Sequence, residues 1–135
     1  MPYALTFSKA VNVTDPDRYI NDCCIGGDVV LEQLFPTLRK RYPDASAVQE
    51  DWGWFSWFDF DGSKLAVDVH TLEQNSFQIH LTSRRARFLL PANIVDSPEL
   101  EVLCEIVLGA LKAWSVDRLH SEKVDERYLP IEDAT

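Results

Sequence analysis

Residues 3–13, YALTFSKAVNV, set Tyr3, Leu5 and Phe7 on one side of an extended chain and Ala4, Thr6 and Ser8 on the other, the two-residue period of a half-buried strand. The next stretch, TDPDRYINDCC, predicts a short helix with Thr14 or Asp15 as its cap and Pro16 in its first turn, where a missing N–H is harmless. Gly26 and Gly27 interrupt it. DVVLEQLFPTLRKRY then predicts a second helix, with Val30, Leu31, Leu34, Phe35 and Leu38 on one side and Glu32, Arg39 and Lys40 elsewhere. Pro36 falls inside this pattern and is expected to kink or split it, because it lacks a donor and its ring crowds the preceding turn.

From residue 46 to about residue 90 the period becomes two. A strong turn at Asp61-Gly62 and a weaker one at Glu73-Gln74-Asn75 divide this stretch into three consecutive antiparallel strands. LPANIVDSPE leads into a final helix capped by Asp96 or Ser97, with Pro98 in its first turn. That helix is apolar at Leu100, Leu103, Cys104, Val107, Leu108, Leu111 and Trp114, and again at Val102, Ile106 and Ala110. It therefore needs burial on more than one side, by the sheet plus another helix or by a second subunit. After Trp114 the chain turns polar, and 115–135 are expected to form a C-terminal extension, either a solvated helix or a frayed tail. No repeat or flexible linker divides the 135 residues, so one domain spanning 1–135 is expected. The order β-α-α-β-β-β-α predicts an α+β fold, a single antiparallel sheet with its helices packed on one face.

The strand pattern also assigns faces. A tight hairpin at Asp61-Gly62 pairs positions whose numbers sum to 123 or 125, and either sum gives the same facing. Trp52, Trp54, Ser56, Phe58 and Phe60 then join Leu65, Val67 and Val69 on one face, and Gly53, Phe55, Trp57 and Asp59 join Ala66, Asp68 and His70 on the other. A three-residue loop with Asn75 left-handed adds Phe77, Ile79 and Leu81 to the first face and Gln78, His80 and Thr82 to the second. The first face is the core. The second mixes two large rings with two histidines, carboxylates and an amide, the composition of a recognition surface, and nominates Phe55, Trp57, Asp68, His70, Gln78 and His80 as partner-binding residues. Cover by the N-terminal strand, the C-terminal tail or a symmetry mate explains the same rings without a different partner.

Charge narrows the partner. A formal net charge of −9 repels nucleic-acid phosphates and anionic membranes, and suits a basic protein partner. No apolar run of about 18 residues is present, and MPYALTFSKAVNV lacks the basic and apolar regions of a signal peptide, so a cytoplasmic location is expected. The three cysteines form no disulfide framework, Cys23 and Cys24 being adjacent, and are read as reduced thiols.

Asp68 and His70 lie two apart on one strand with His80 opposite Asp68, a set that suits a divalent metal with open positions; an Asp–His pair on a solvated face explains it equally without function. Cys23 and Cys24 fall at the end of a short helix, away from any activating N-terminus, and read as structural thiols. CIGGDV has neither the spacing nor the lysine of a phosphate loop. Arg84, Arg85 and Arg87 are a basic cluster expected to pair with nearby carboxylates, two of them facing opposite to the third if the strand continues, and His120 reads as a surface residue.

The run Glu50-Asp51-Trp52-Gly53-Trp54 resembles a strand motif of small bacterial α+β proteins, some of which resemble immunity proteins of contact-dependent or polymorphic toxin systems. The resemblance covers those five residues. It implies a cytoplasmic bacterial domain that acts by binding a protein, with no catalytic residues to carry over; separately, no cofactor is expected. The favoured reading is a non-enzymatic interaction module that works through the second sheet face. One alternative is a small metal- or ligand-binding protein using Asp68, His70 and His80. The other is a structural homodimer joined through the final helix.

Overall fold

The alternating N-terminal residues form strand β1 (Tyr3–Ser8). The computed structural model describes residues 2–87, 90–95, 97–125 and 127–131. Helix α1 (Gly27–Leu38) follows, then β2 (Val48–Glu50), β3 (Gly53–Phe60), β4 (Ser63–Glu73), β5 (Ser76–Arg87), β6 (Leu90–Ile94), helix α2 (Pro98–Ala113) and β7 (Asp117–Lys123). The strands form one antiparallel sheet in the order β2-β3-β4-β5-β1-β7. β6 pairs with Arg84–Arg87 of β5, along the same strand that β1 meets through Ser76–Leu81. This is the expected α+β fold.

Both anticipated turns set the register. Asp61 and Gly62 are left-handed (φ 49° and 79°), which closes a two-residue hairpin and pairs Trp54 with Val69, a sum of 123. Asn75 is left-handed at φ 64° and Asp68 faces His80. The first face, with Trp54, Phe58, Leu65, Val67, Val69, Phe77, Ile79 and Leu81, is buried under the helices together with Leu5 and Phe7 of β1.

Several expectations are corrected. Residues 14–24 form two 3-10 turns, Pro16–Arg18 and Asp22–Cys24, in place of a helix, because Asp15 and Asn21 each cap a single turn by accepting from Asp17 N–H and Cys23 N–H. Pro36 neither splits nor ends α1; it sits in the last turn, on the exposed side of the helix. The stretch from 46 holds an extra strand, since Asp51-Trp52 reverses the chain between β2 and β3. Residues 117–123 are neither helix nor frayed tail but strand β7, paired along β1.

Helix α2 is capped by Ser97, whose Oγ accepts from Leu100 N–H; Asp96 lies outside the described residues. Its Leu100, Leu103, Cys104, Val107 and Leu111 are buried, and Ile106, Leu108 and Ala110 are half-buried against the same core. The sheet and α1 thus cover both of its apolar stripes. Arg41 grips Glu99 through Nε and Nη2, and Tyr42 O–H donates to the same carboxylate, joining the end of α1 to the start of α2.

Asp28, in the first turn of α1, is buried and binds Arg18 Nη2 at 3.1 Å while accepting from Tyr19 O–H at 2.7 Å, so it ties the 3-10 segment down. Burial, and then Asp28, push the Tyr19 phenol up to about 12. Asp28→Ala is expected to lower stability by about 1–3 kcal/mol, the cost of removing a buried carboxylate that holds both Arg18 and Tyr19, read by urea unfolding. The Tyr19 phenol should fall only partway back, because burial is the larger cause. Among the described residues no helix is long and apolar enough to cross a membrane.

Candidate functional site

The second sheet face is built in rows across the strands. Val48, Phe55, Asp68, His80 and Ala4 lie in one row, opposite one another on β2, β3, β4, β5 and β1, with Glu122 of β7 at its end. His70, Gln78, Thr6 and His120 form the next across β4, β5, β1 and β7, while Glu50 faces Gly53 at the start of β3. Trp57 faces Ala66 and Thr82 on the other side of the first row. All six residues nominated from the sequence, Phe55, Trp57, Asp68, His70, Gln78 and His80, therefore share one face. β1 does not cover them: it pairs edge-on with β5 and widens the face instead.

The rings form a continuous chain of aromatic contacts. Trp57 and Phe55 are 4.4 Å apart between centroids, Phe55 and Trp52 5.8 Å, Trp52 and His70 5.1 Å, His70 and His80 5.0 Å, and His80 and Tyr128 4.2 Å. Trp52, expected on the core face, belongs here. The β2–β3 turn lifts it out of strand alternation, and its ring packs between Phe55 and His70. Tyr128 is the second residue missed, since it comes from the polar C-terminal stretch. At φ 63° it sits in a loop closed by Asp125, whose Oδ1 accepts from Arg127 N–H and Leu129 N–H. Trp52 occupies a central turn position without glycine, and Tyr128 lies in the polar C-terminal stretch, so neither carries a local signal. Trp57 is 42% exposed and Val48, across from Phe55, is 43% exposed, so the β2–β3 end of the ring chain meets solvent.

Asp68 is buried beneath Trp57, whose Nε1–H donates to its Oδ1 at 2.9 Å. Burial raises its pKa, while that hydrogen bond and the charges of His70 and Arg84 oppose the rise. Burial, then the charge of His70, lower His80 to about 4. An unfolded histidine titrates near 6.5, so above that pH His80 is neutral in both states; between 6.5 and 4 the unfolded chain takes up a proton that the folded one refuses. Stability is expected to fall through that window, and the fall should be shallower in His80→Gln, measured by urea unfolding from pH 7 to 4. Asp68 acts in the opposite sense, its raised pKa favouring the folded state as pH drops, and it is present in both proteins. Tyr128→Ala should uncover His80 and move its NMR titration midpoint up from about 4.

Among the described residues no three histidine, cysteine or carboxylate groups are arranged to hold a metal ion. Asp68 is engaged by Trp57, and the two imidazoles meet edge to face. A cleft of about 710 Å³ lies elsewhere, where the β4–β5 turn meets Val11–Val13 and the second 3-10 turn. Asp22, Cys23 and Glu73 are among its walls, and none of Asp68, His70 or His80 is. All three cysteines are free thiols, Cys23 exposed and Cys24 and Cys104 buried. β5 continues through Arg87, and Arg84 lies on the second face opposite Lys64, with Arg85 directed the other way. His120 is exposed, 3.8 Å from Glu122. The chain matches no family model, no curated protein and no solved structure.

Proposed function

We propose that this protein is a non-enzymatic interaction module that binds a protein partner through the second face of its sheet. The observation that carries the reading is the chain of aromatic contacts that surfaces at Trp57 and Val48. Aromatic and aliphatic groups held exposed on paired strands are pre-organised, so little ordering entropy is lost on docking. The net charge of −9 favours a basic partner, and the Glu50-Asp51-Trp52-Gly53-Trp54 motif fits an immunity-like role in a bacterial cytoplasm. Gln78, His70 and His80 supply hydrogen-bonding groups beside the rings.

The test is a paired capture from cell lysate with the wild-type chain and Val48→Arg, both shown to be folded, alongside sedimentation equilibrium. A protein retained by the first and lost by the second supports the reading. A concentration-dependent dimer that Val48→Arg dissociates would instead make a second copy of the chain the occupant. Identical capture profiles from two monomers would contradict the face as the working surface.

A further inference from the structure

We infer that the partner engages the β2–β3 end of this face with an arginine side chain, its guanidinium laid on the Phe55 and Trp57 rings and paired with the Asp59 carboxylate beside Trp57, while Glu50 adds negative charge at the far end of the rings. This rests on the docking-face reading and adds the chemistry of the group recognised.

The rim is acidic. Glu50 faces Gly53 and Asp59 lies two residues beyond Trp57, so both share the face with the rings, and Asp51 sits in the adjoining turn. All three are exposed, and among the described residues none forms an ion pair; Lys64 lies across from Asp59 without pairing to it. The exposed Trp57 ring, with half-buried Phe55 beside it and carboxylates at the rim, attracts a cation. A planar guanidinium satisfies both features at once, because it stacks on an aromatic face while its N–H groups bind a carboxylate side-on, whereas an ammonium is a more strongly hydrated point charge.

The other side of the same sheet already uses this arrangement twice. Arg41 lies 4.8 Å over the Phe60 ring while holding Glu99 through two nitrogens. Arg18 lies 5.8 Å over Tyr19 and 5.9 Å over Trp54 while binding Asp28. In both, a ring, a carboxylate and an arginine close a contact. On the second face the rings and carboxylates of β2 and β3 stand together without an arginine of this chain on them, among the described residues.

The experiment titrates the full chain with a tetra-arginine peptide, using tetra-lysine and tetra-citrulline as controls and the tryptophan indole N–H signals as readout. The arginine peptide should shift Trp57 and Trp52, bind at least about fivefold tighter than the lysine peptide, and lose binding in the citrulline form. The double substitution Glu50→Gln, Asp59→Asn should weaken it about tenfold without changing the melting temperature. Equal affinity for arginine and lysine would reduce the contact to diffuse charge and overturn the inference; so would shifts confined to other tryptophans, or no binding. If the peptide fails to bind while Val48→Arg still abolishes partner capture, the docking face stands and the guanidinium assignment falls.

Discussion

Replacing Gly53 with alanine is expected to lower stability by at least about 3 kcal/mol, a large share of the roughly 5–15 kcal/mol that holds a domain folded. A Cβ there would meet the backbone oxygen of Val69 at 2.2 Å, and Gly53 holds φ 151°, a conformation side-chain-bearing residues rarely adopt. The clash has no soft neighbour to yield, because Val69 is locked opposite Trp54 in the β3–β4 ladder. Two other glycines provide the contrast. A Cβ at Gly62 meets nothing within 4 Å, so Gly62→Ala should cost only its left-handed backbone preference, about 1 kcal/mol. Gly109 lies inside α2, also with open space, and Gly109→Ala should stabilise by about 0.5–1 kcal/mol. Urea unfolding of the three variants checks the ranking.

Val48→Arg is expected to reduce affinity for the captured partner at least about 30-fold, the loss when a central apolar anchor of about 2 kcal/mol is removed, while leaving stability within about 0.5 kcal/mol. Val48 is exposed, and its side chain anchors nothing by hydrogen bonding. Trp57→Asp is a less clean probe. It removes the indole N–H that holds Asp68 and sets a second carboxylate beside one already buried, so a stability loss of about 2–3 kcal/mol should accompany any loss of binding. Trp57→Phe keeps the ring and isolates the hydrogen bond: it should retain partner binding and lower stability by about 1–3 kcal/mol. Calorimetric titration and unfolding of the three variants separate surface from scaffold.

The central sheet was legible because its strands alternate cleanly and its turns carry residues that accept positive φ. Asp61-Gly62 and Asn75 fixed the pairing of β3, β4 and β5, and with it the shared face of Phe55, Trp57, Asp68, His70, Gln78 and His80. The edges were not legible. β7 reads DRLHSEK, with Leu119 its one apolar residue, and Arg118 interrupts it at φ 56°, so neither period nor composition marks it as a strand. A strand paired on one side and flanked by solvent needs no apolar alternation. β2 has three residues and meets β3 through a turn without glycine at either central position, which hid the displacement of Trp52 from core to surface. Tyr128 reaches His80 only through a loop of the C-terminal chain, a contact 48 positions away along the sequence that no local pattern encodes. Helix α2 shows the limit of an amphipathic reading. Its two apolar stripes were evident, but whether the second met this chain or another depended on where α1 packs.

The most direct test of the docking face is amide hydrogen exchange of the chain, free and with the captured partner bound. Added protection is expected in β2, β3 and the start of β4 together with perturbed indole signals of Trp52 and Trp57, with unchanged exchange along α1 and α2. Protection centred on the helices or on β7, with the β2–β3 end unchanged, would contradict the docking face.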